Sequence, residues 1–323
     1  MRRRRRQVLA FAAAAVVATA AVGCDGGEED PWEGDRPETL DISAGSPSGI
    51  YHAYGQSFAA EVSSRFDVEA EVLESAGSVE NIERLATGSA EVAFASIDTA
   101  EAAVRGGPGF GEPQDISALA RVYDDFAHLV VLADSEIDSV EDLPGHAVSM
   151  GAAGSGTAPI ARRLLEAADI EAGDVDTRAM GLAQSLTALT NGEIDALFWS
   201  GGLDTPGLAS LADLHEVRLV PLGELVEPFR SRYGTGYRHA VVPAGTYGVP
   251  EDVATLAVPN IVLVPGSMRA PVARALLAAL FDAREDIARD VPAAALLDRR
   301  QAIYTEPIPL HPGALDYYRD TQE

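Results

Sequence analysis

The 323-residue sequence contains no lysine. A P-loop needs that residue to reach its phosphates, and Schiff-base and pyridoxal phosphate enzymes need it as their covalent anchor, so these chemistries fall away together. Cysteine is nearly absent as well. The single Cys24 excludes an intrachain disulfide, a four-cysteine metal cluster and a cysteine-based zinc finger. The histidines at 52, 128, 146, 215, 239 and 311 are scattered, with no pair at HExxH spacing, and there is no GxSxG elbow. No metal site, cofactor or catalytic set is expected, and with no nucleophile beside a base at recognisable spacing the chain does not read as an enzyme.

Positive charge is also scarce. There are 24 basic and 50 acidic residues, a formal net charge of −26. Five of the basic residues are Arg2 to Arg6, so the remainder sets 19 basic against 50 acidic residues, a charge of −31. With no basic stripe downstream, such a surface repels phosphate backbones, and nucleic acid is not expected as a partner. A hydrophobic content of 47% with a mean hydropathy of +0.03 describes a soluble protein with a sizeable core. Its length favours two domains.

The arginine cluster opens a segment of its own. An alanine-rich apolar stretch, Val8 to Val22, follows it and closes with Ala21-Val22-Gly23-Cys24. The run is shorter than the roughly 20 residues of a spanning helix, so residues 1–24 read as a signal peptide. Small residues directly before a cysteine resemble the bacterial lipobox, which implies lipidation of Cys24 and an extracytoplasmic chain anchored to the membrane. Arg5-Arg6-Gln7-Val8-Leu9 also fits twin-arginine export, which leaves the export route open. Residues 25–37, rich in Gly, Asp, Glu and Pro, read as a flexible tether.

Beyond the tether, short β-branched runs alternate with helical patterns, the signature of an α/β fold. Strands are expected at 39–43, 68–73, 91–96, 129–133, 147–150, 194–199 and, with a Pro-Asn interruption, 254–264. Helices are expected at 49–64, 78–87, 158–168, 185–189 and 270–286. The two β-α series and the late return to strand and helix predict two lobes. One is discontinuous, 38–130 plus 250–323, and the other is 131–249.

Ligands of open α/β sheets bind beyond the C-terminal strand ends, where loops enter helices. Three such loops here are built from glycine and hydroxyl residues: Gly45 to Gly49, Ser75 to Ser78 and Gly151 to Thr157. Glycine lets backbone approach an anion and serine adds donors without bulk. Any one of these loops also makes an ordinary N-cap; three of them, divided between the expected lobes, point to one shared cleft. Ser96 and Asp98 at one strand end and Trp199-Ser200-Gly201 at another are placed to line it.

Several segments together resemble a family, the TAXI-type receptors of tripartite ATP-independent periplasmic (TRAP) transporters. They are Glu74-Ser-Ala-Gly-Ser-Val-Glu-Asn-Ile-Glu-Arg-Leu-Ala-Thr-Gly88, His128-Leu-Val-Val-Leu-Ala-Asp-Ser135, Asp142-Leu-Pro-Gly145 and Gly154-Ser-Gly-Thr157. Gly192-Glu-Ile-Asp-Ala-Leu-Phe198, Val242-Pro-Ala-Gly-Thr-Tyr247 and Ile308-Pro-Leu-His-Pro-Gly313 complete the set. The resemblance implies a two-lobed type II periplasmic-binding fold with a hinge and a central cleft. It further implies capture of a small carboxylated solute, glutamate-like, glutamine-like or a related organic acid, and delivery to TRAP permease subunits. Sensing for a membrane histidine kinase and service to an ATP-driven importer are alternatives that the sequence does not separate. The ligand-binding residues expected from loops and resemblance together are Ser48, Gly49, Ile50, Tyr51, Ser75, Gly77, Ser78, Asn81, Ser96, Asp98, Gly154, Ser155, Gly156, Thr157, Trp199, Ser200, Gly201 and Tyr247. The first loop departs from the family's glycine-rich pattern at Pro47, which has no N–H to offer.

Overall fold

A computed structural model describes residues 30–32, 36–47, 49–203, 205–233 and 236–321. Cys24, the export signal and Ser48 lie outside the described residues. Among the described residues there are ten strands: β1 (Thr39–Ser43), β2 (Glu69–Leu73), β3 (Val92–Ser96), β4 (Ile116–Leu132), β5 (Ala147–Ser149), β6 (Asp176–Arg178), β7 (Ala196–Gly201), β8 (Val217–Leu219), β9 (Arg238–Val242) and β10 (Val253–Pro265). Between them run α1 (Ile50–Phe66), α2 (Ser78–Thr87), α3 (Ile97–Arg105), α4 (Thr157–Ala167), α5 (Leu182–Thr190), α6 (Pro206–Leu214) and α7 (Val226–Tyr233). The chain closes with α8 (Ala270–Asp282), α9 (Arg284–Asp290), α10 (Arg299–Ala302) and α11 (Pro312–Asp320).

The strands form one mixed sheet in the order β2-β1-β3-β10-β4-β7-β5-β6, with β8 on β4 and β9 on β10. At one end β1, β2 and β3 are parallel, and at the other β5, β6 and β7 are parallel. Between these halves run the two long strands, antiparallel to each other and to their flanking neighbours β3 and β7. β4 pairs with β10 over Ile116 to Phe126, then with β7 over Phe126 to Val130. β10 pairs with β9 over Val253 to Ala257 and with β3 over Asn260 to Leu263. Each long strand therefore belongs to both halves. The expected Pro-Asn interruption is a shift of register between Asn260 and Ile261 within a continuous β10.

The local reasons are ordinary ones. β3, Val-Ala-Phe-Ala-Ser, is buried along its whole length, as a strand covered on both faces requires. α1 buries Tyr54, Phe58 and Val62, at positions i, i+4 and i+8, against the core that also receives Leu276, Leu277 and Leu280 of α8. α2 ends at Gly88, whose φ of 71° is the left-handed C-cap that glycine adopts without strain.

Three expectations change. β4 begins at Ile116 rather than near Leu129, passing straight through Asp124 and Asp125. The single helix 270–286 is broken into α8 and α9 at Ala283. Part of the expected tether is folded onto the domain: Trp32 is only 4% exposed, its ring meets Phe66 edge-on at 5.3 Å, and Arg269 donates to its carbonyl at 2.6 Å. Among the described residues no helix is long and apolar enough to cross a membrane.

Phe58 lies away from the strand ends and is fully buried. Phe58→Ala is expected to cost about 3–5 kcal/mol of stability, read by urea denaturation. A loss below about 1 kcal/mol would mean that α1 does not anchor this core.

Candidate functional site

Four strand-to-helix connections and the ends of two further strands open onto one cleft between the halves. The loops after β1 and β2 and the end of β3 come from one side, and the loops after β5 and β6 and the end of β7 from the other. The cleft encloses about 210 Å³, below the roughly 300–1,000 Å³ of sites for drug-sized molecules. Of the expected residues, Gly49, Ile50, Tyr51, Ser75, Gly77, Ser78, Ser96, Ser155, Gly156, Thr157, Trp199, Ser200 and Gly201 line it.

Four expected residues stand behind the wall instead. Asn81 is fully buried; its Oδ1 accepts from Ser43 Oγ at 2.7 Å and from Ser75 Oγ, and its Nδ2 donates to the Phe94 carbonyl at 2.7 Å. It ties β1, the second loop and β3 together and, fully buried, lies out of a ligand's reach. Asp98 is turned away: its Oδ2 accepts from Arg163 Nη1 at 2.7 Å and from the Tyr237 hydroxyl at 3.0 Å. That partly buried ion pair joins α3 in one half to α4 in the other. Gly154 spends its carbonyl on the first turn of α2, accepting from Val79 N at 3.1 Å and Glu80 N at 3.4 Å. Tyr247 supports the wall at one remove. Its hydroxyl accepts from Thr205 N at 2.9 Å, and Thr205 Oγ1 accepts from Trp199 Nε1 at 3.1 Å, which fixes the indole.

Two close approaches explain the glycines. A Cβ on Gly201 would stand 2.3 Å from Trp199 Nε1, so the indole lies flat over that backbone only because the side chain is missing. A Cβ on Gly156 would stand 2.7 Å from Ser78 Oγ, across the cleft from one half to the other.

Most of the serine hydroxyls hold the loops. Ser75 Oγ accepts from Gly45 N at 3.0 Å and Gly77 N at 3.1 Å. Ser155 Oγ donates to the Ala152 carbonyl at 2.8 Å, and Ser78 Oγ accepts from Ser96 N at 3.1 Å. Thr157 differs, since its Oγ1 accepts from Ser200 N at 3.2 Å and keeps its own proton to donate. α1, α4 and α5 each begin at the cleft, with Ile50 and Tyr51, Thr157, and Gly181 and Leu182 on its wall. The partial positive charge of a helix start favours an anion there.

The structure adds residues that loop reading missed: Tyr123 and Asp125 from β4, Met180 from the β6-to-α5 connection, Leu182 and Ser185 from α5, and Phe198 from β7. Tyr51, Phe94 and Tyr123 form an aromatic group, with Tyr51 stacked on Phe94 at 5.7 Å and edge-on to Tyr123 at 6.3 Å. Burial, with the Asp125 charge nearby, raises the pKa of Tyr51 and Tyr123 well above the usual phenol range. Burial likewise pushes the Asp125 carboxyl up to about 7, against the polar neighbours Asn260 and Ser200.

The sequence model of the NMT1-like family matches residues 42–321. The chain belongs to the NMT1-like family. Among solved structures, PhnD1 of Prochlorococcus marinus (MIT 9301) in complex with methylphosphonate is similar at a TM-score of 0.54 and 10% identity, over 89% of this chain and 99% of that one. A binding protein component of an ABC phosphonate transporter from Pseudomonas aeruginosa gives 0.54 at 10% identity, over 79% of each chain. A putative L-cystine ABC transporter protein from Listeria monocytogenes gives 0.52 at 12% identity, over 81% of this chain and 99% of that one. What this NMT1-like chain has in common with them is the fold, a periplasmic-binding-protein type II-like arrangement.

An unfolded aspartate titrates at about 3.9. From there up to about 7 the folded protein holds a proton on Asp125 that the unfolded chain has released, so this group lowers stability as pH rises across that window. Asp125→Asn removes this one dependence. The stability of wild type minus variant should fall by at most about 1.4 kcal/mol per pH unit between about pH 4 and 7, then level off. Urea titrations across that range check it, and a flat difference would show the carboxyl ionised throughout.

Proposed function

We propose that this chain is an extracytoplasmic solute-binding protein, not an enzyme, which captures a small carboxylated solute in the cleft and delivers it to a membrane transporter. One observation carries the reading: strand-end loops from both halves converge on a single small cleft, and the halves are joined through two shared strands. Such a cleft can close around a solute by bending where β4 and β10 cross, excluding water and strengthening each polar contact inside. The proposed lobes follow the two halves of the sheet, with crossings near Asp124 to Phe126 and Ala257 to Asn260.

The carboxylate would lie at the starts of α1 and α4, near Tyr51 and Thr157, with Trp199 covering the apolar part. The motifs that resemble TAXI receptors support a TRAP permease as the partner, and the lipobox-like Ala21 to Cys24 supports anchoring through a lipid. A second reading, a receptor of an ATP-driven importer, draws on the neighbours described as components of ABC transporters.

A thermal-shift screen against amino acids, dicarboxylates, 2-oxoacids and sugars tests the reading. A ligand at a hundred times its Kd adds about 2.7 kcal/mol to stability. With the carboxylate so found, Thr157→Val is expected to weaken binding about tenfold by calorimetry, the loss of one donor to a charged group. Ser155→Ala should cost less, because its proton already goes to Ala152. Full affinity in Thr157→Val would contradict the placement.

A further inference from the structure

The cleft offers an acceptor where a site for a simple anion would present a cation. No arginine or histidine is among the residues described as lining it, and the chain has no lysine. Arg121 on β4 is committed to Asp124 at 2.6 Å, and Arg163 on α4 to Asp98 at 2.7 Å. Among the described residues the one carboxylate on the wall is Asp125. It is 5% exposed, its Oδ2 accepts from Ser200 Oγ at a long 3.5 Å, and its Oδ1 is buried with no hydrogen-bond partner. Beside it Asn260 has its Oδ1 taken by the Tyr51 hydroxyl, while its Nδ2 is buried without a partner.

A buried carboxylate oxygen with no donor is costly, and native proteins leave few of them. On the wall of a cleft the missing donor is most simply supplied by what enters the cleft. A phosphonate or a second carboxylate placed there would either set one anion against another or keep the Asp125 carboxyl protonated. A protonated amine would complete the set, with a charge-assisted hydrogen bond to the free oxygen. The same cleft thus presents two kinds of group, helix starts at Ile50 and Thr157 and an acceptor at Asp125.

We infer that Asp125 is the specificity-determining residue of the cleft, taking a protonated amine of the solute, so that the bound molecule is a small amino-carboxylate with its anionic end at the starts of α1 and α4. This rests on the solute-binding reading above and goes beyond it by naming the residue and the group that it selects.

Matched probes that differ only at the amine decide it. Calorimetry on the full chain compares glutamate with 2-oxoglutarate and 2-hydroxyglutarate, leucine with its 2-oxoacid, and methylphosphonate as an anion without an amine. At least one amino acid should bind, and at least tenfold more tightly than its amine-free counterparts. In Asp125→Asn, confirmed as folded by circular dichroism, most of that ratio should disappear. An oxoacid or methylphosphonate that binds as tightly as the amino acids overturns the inference, as does an unchanged ratio in the variant, and either leaves solute binding itself intact. Absence of binding by every probe and by the wider screen overturns both. The unsubstituted chain decides the question even where the variant does not fold.

Discussion

The long strands β4 and β10 are hydrogen-bonded to each other and each runs through both halves of the sheet, and this shared pair sets the terms for everything else. At about 3.3 Å per residue, the seventeen residues of β4 extend some 55 Å. Relative motion of the halves has to pass through these strands near Phe126 and Ala257. There β10 carries Pro259, which has no N–H for the ladder, and its register slips between Asn260 and Ile261. Asp125 and Asn260 stand at this same crossing. A solute held by Asp125 would therefore act on the place where the sheet bends.

Away from the crossing, the halves meet through a few contacts that depend on small residues. The Gly154 carbonyl covers the exposed N–H groups at the start of α2, and Gly156 lies against Ser78 where any side chain would collide. Farther out, Arg163 and Tyr237 enclose Asp98. Separation of the halves would uncover both the helix start and the ion pair, and water would hydrate them in return. Contacts that water can replace in this way would leave open and closed arrangements close in energy, which is the condition for a ligand to decide between them.

Much of this was legible in the sequence, for identifiable reasons. β1 and α2 fall where alternation, helical spacing and Gly88 put them, and the three Gly-Ser loops do meet at one cleft. Loop composition reports loops, however, and half of what distinguishes the cleft comes from inside a strand. Tyr123-Asp124-Asp125-Phe126 carries two acidic residues through the middle of β4, against ordinary strand preference, because β10 pairs all four residues and β7 takes up the ladder from Phe126. Asp98 and Asn81 were placed in the right neighbourhood and on the wrong side of the wall, since sequence position does not reveal that Arg163 comes from 65 residues away to claim the carboxylate.

The central claim is that the halves close on a solute bound between them. Glu83 on α2 and Glu193 before β7 are exposed and belong to opposite halves. With Cys24, the only native cysteine, replaced by serine, spin labels on cysteines introduced at these two positions report the separation by pulsed dipolar spectroscopy. Addition of the carboxylate that most raises the melting temperature should shift the distance distribution to shorter values, with a midpoint at the calorimetric Kd. A distribution unchanged by a ligand that calorimetry shows to be bound would contradict closure between the halves.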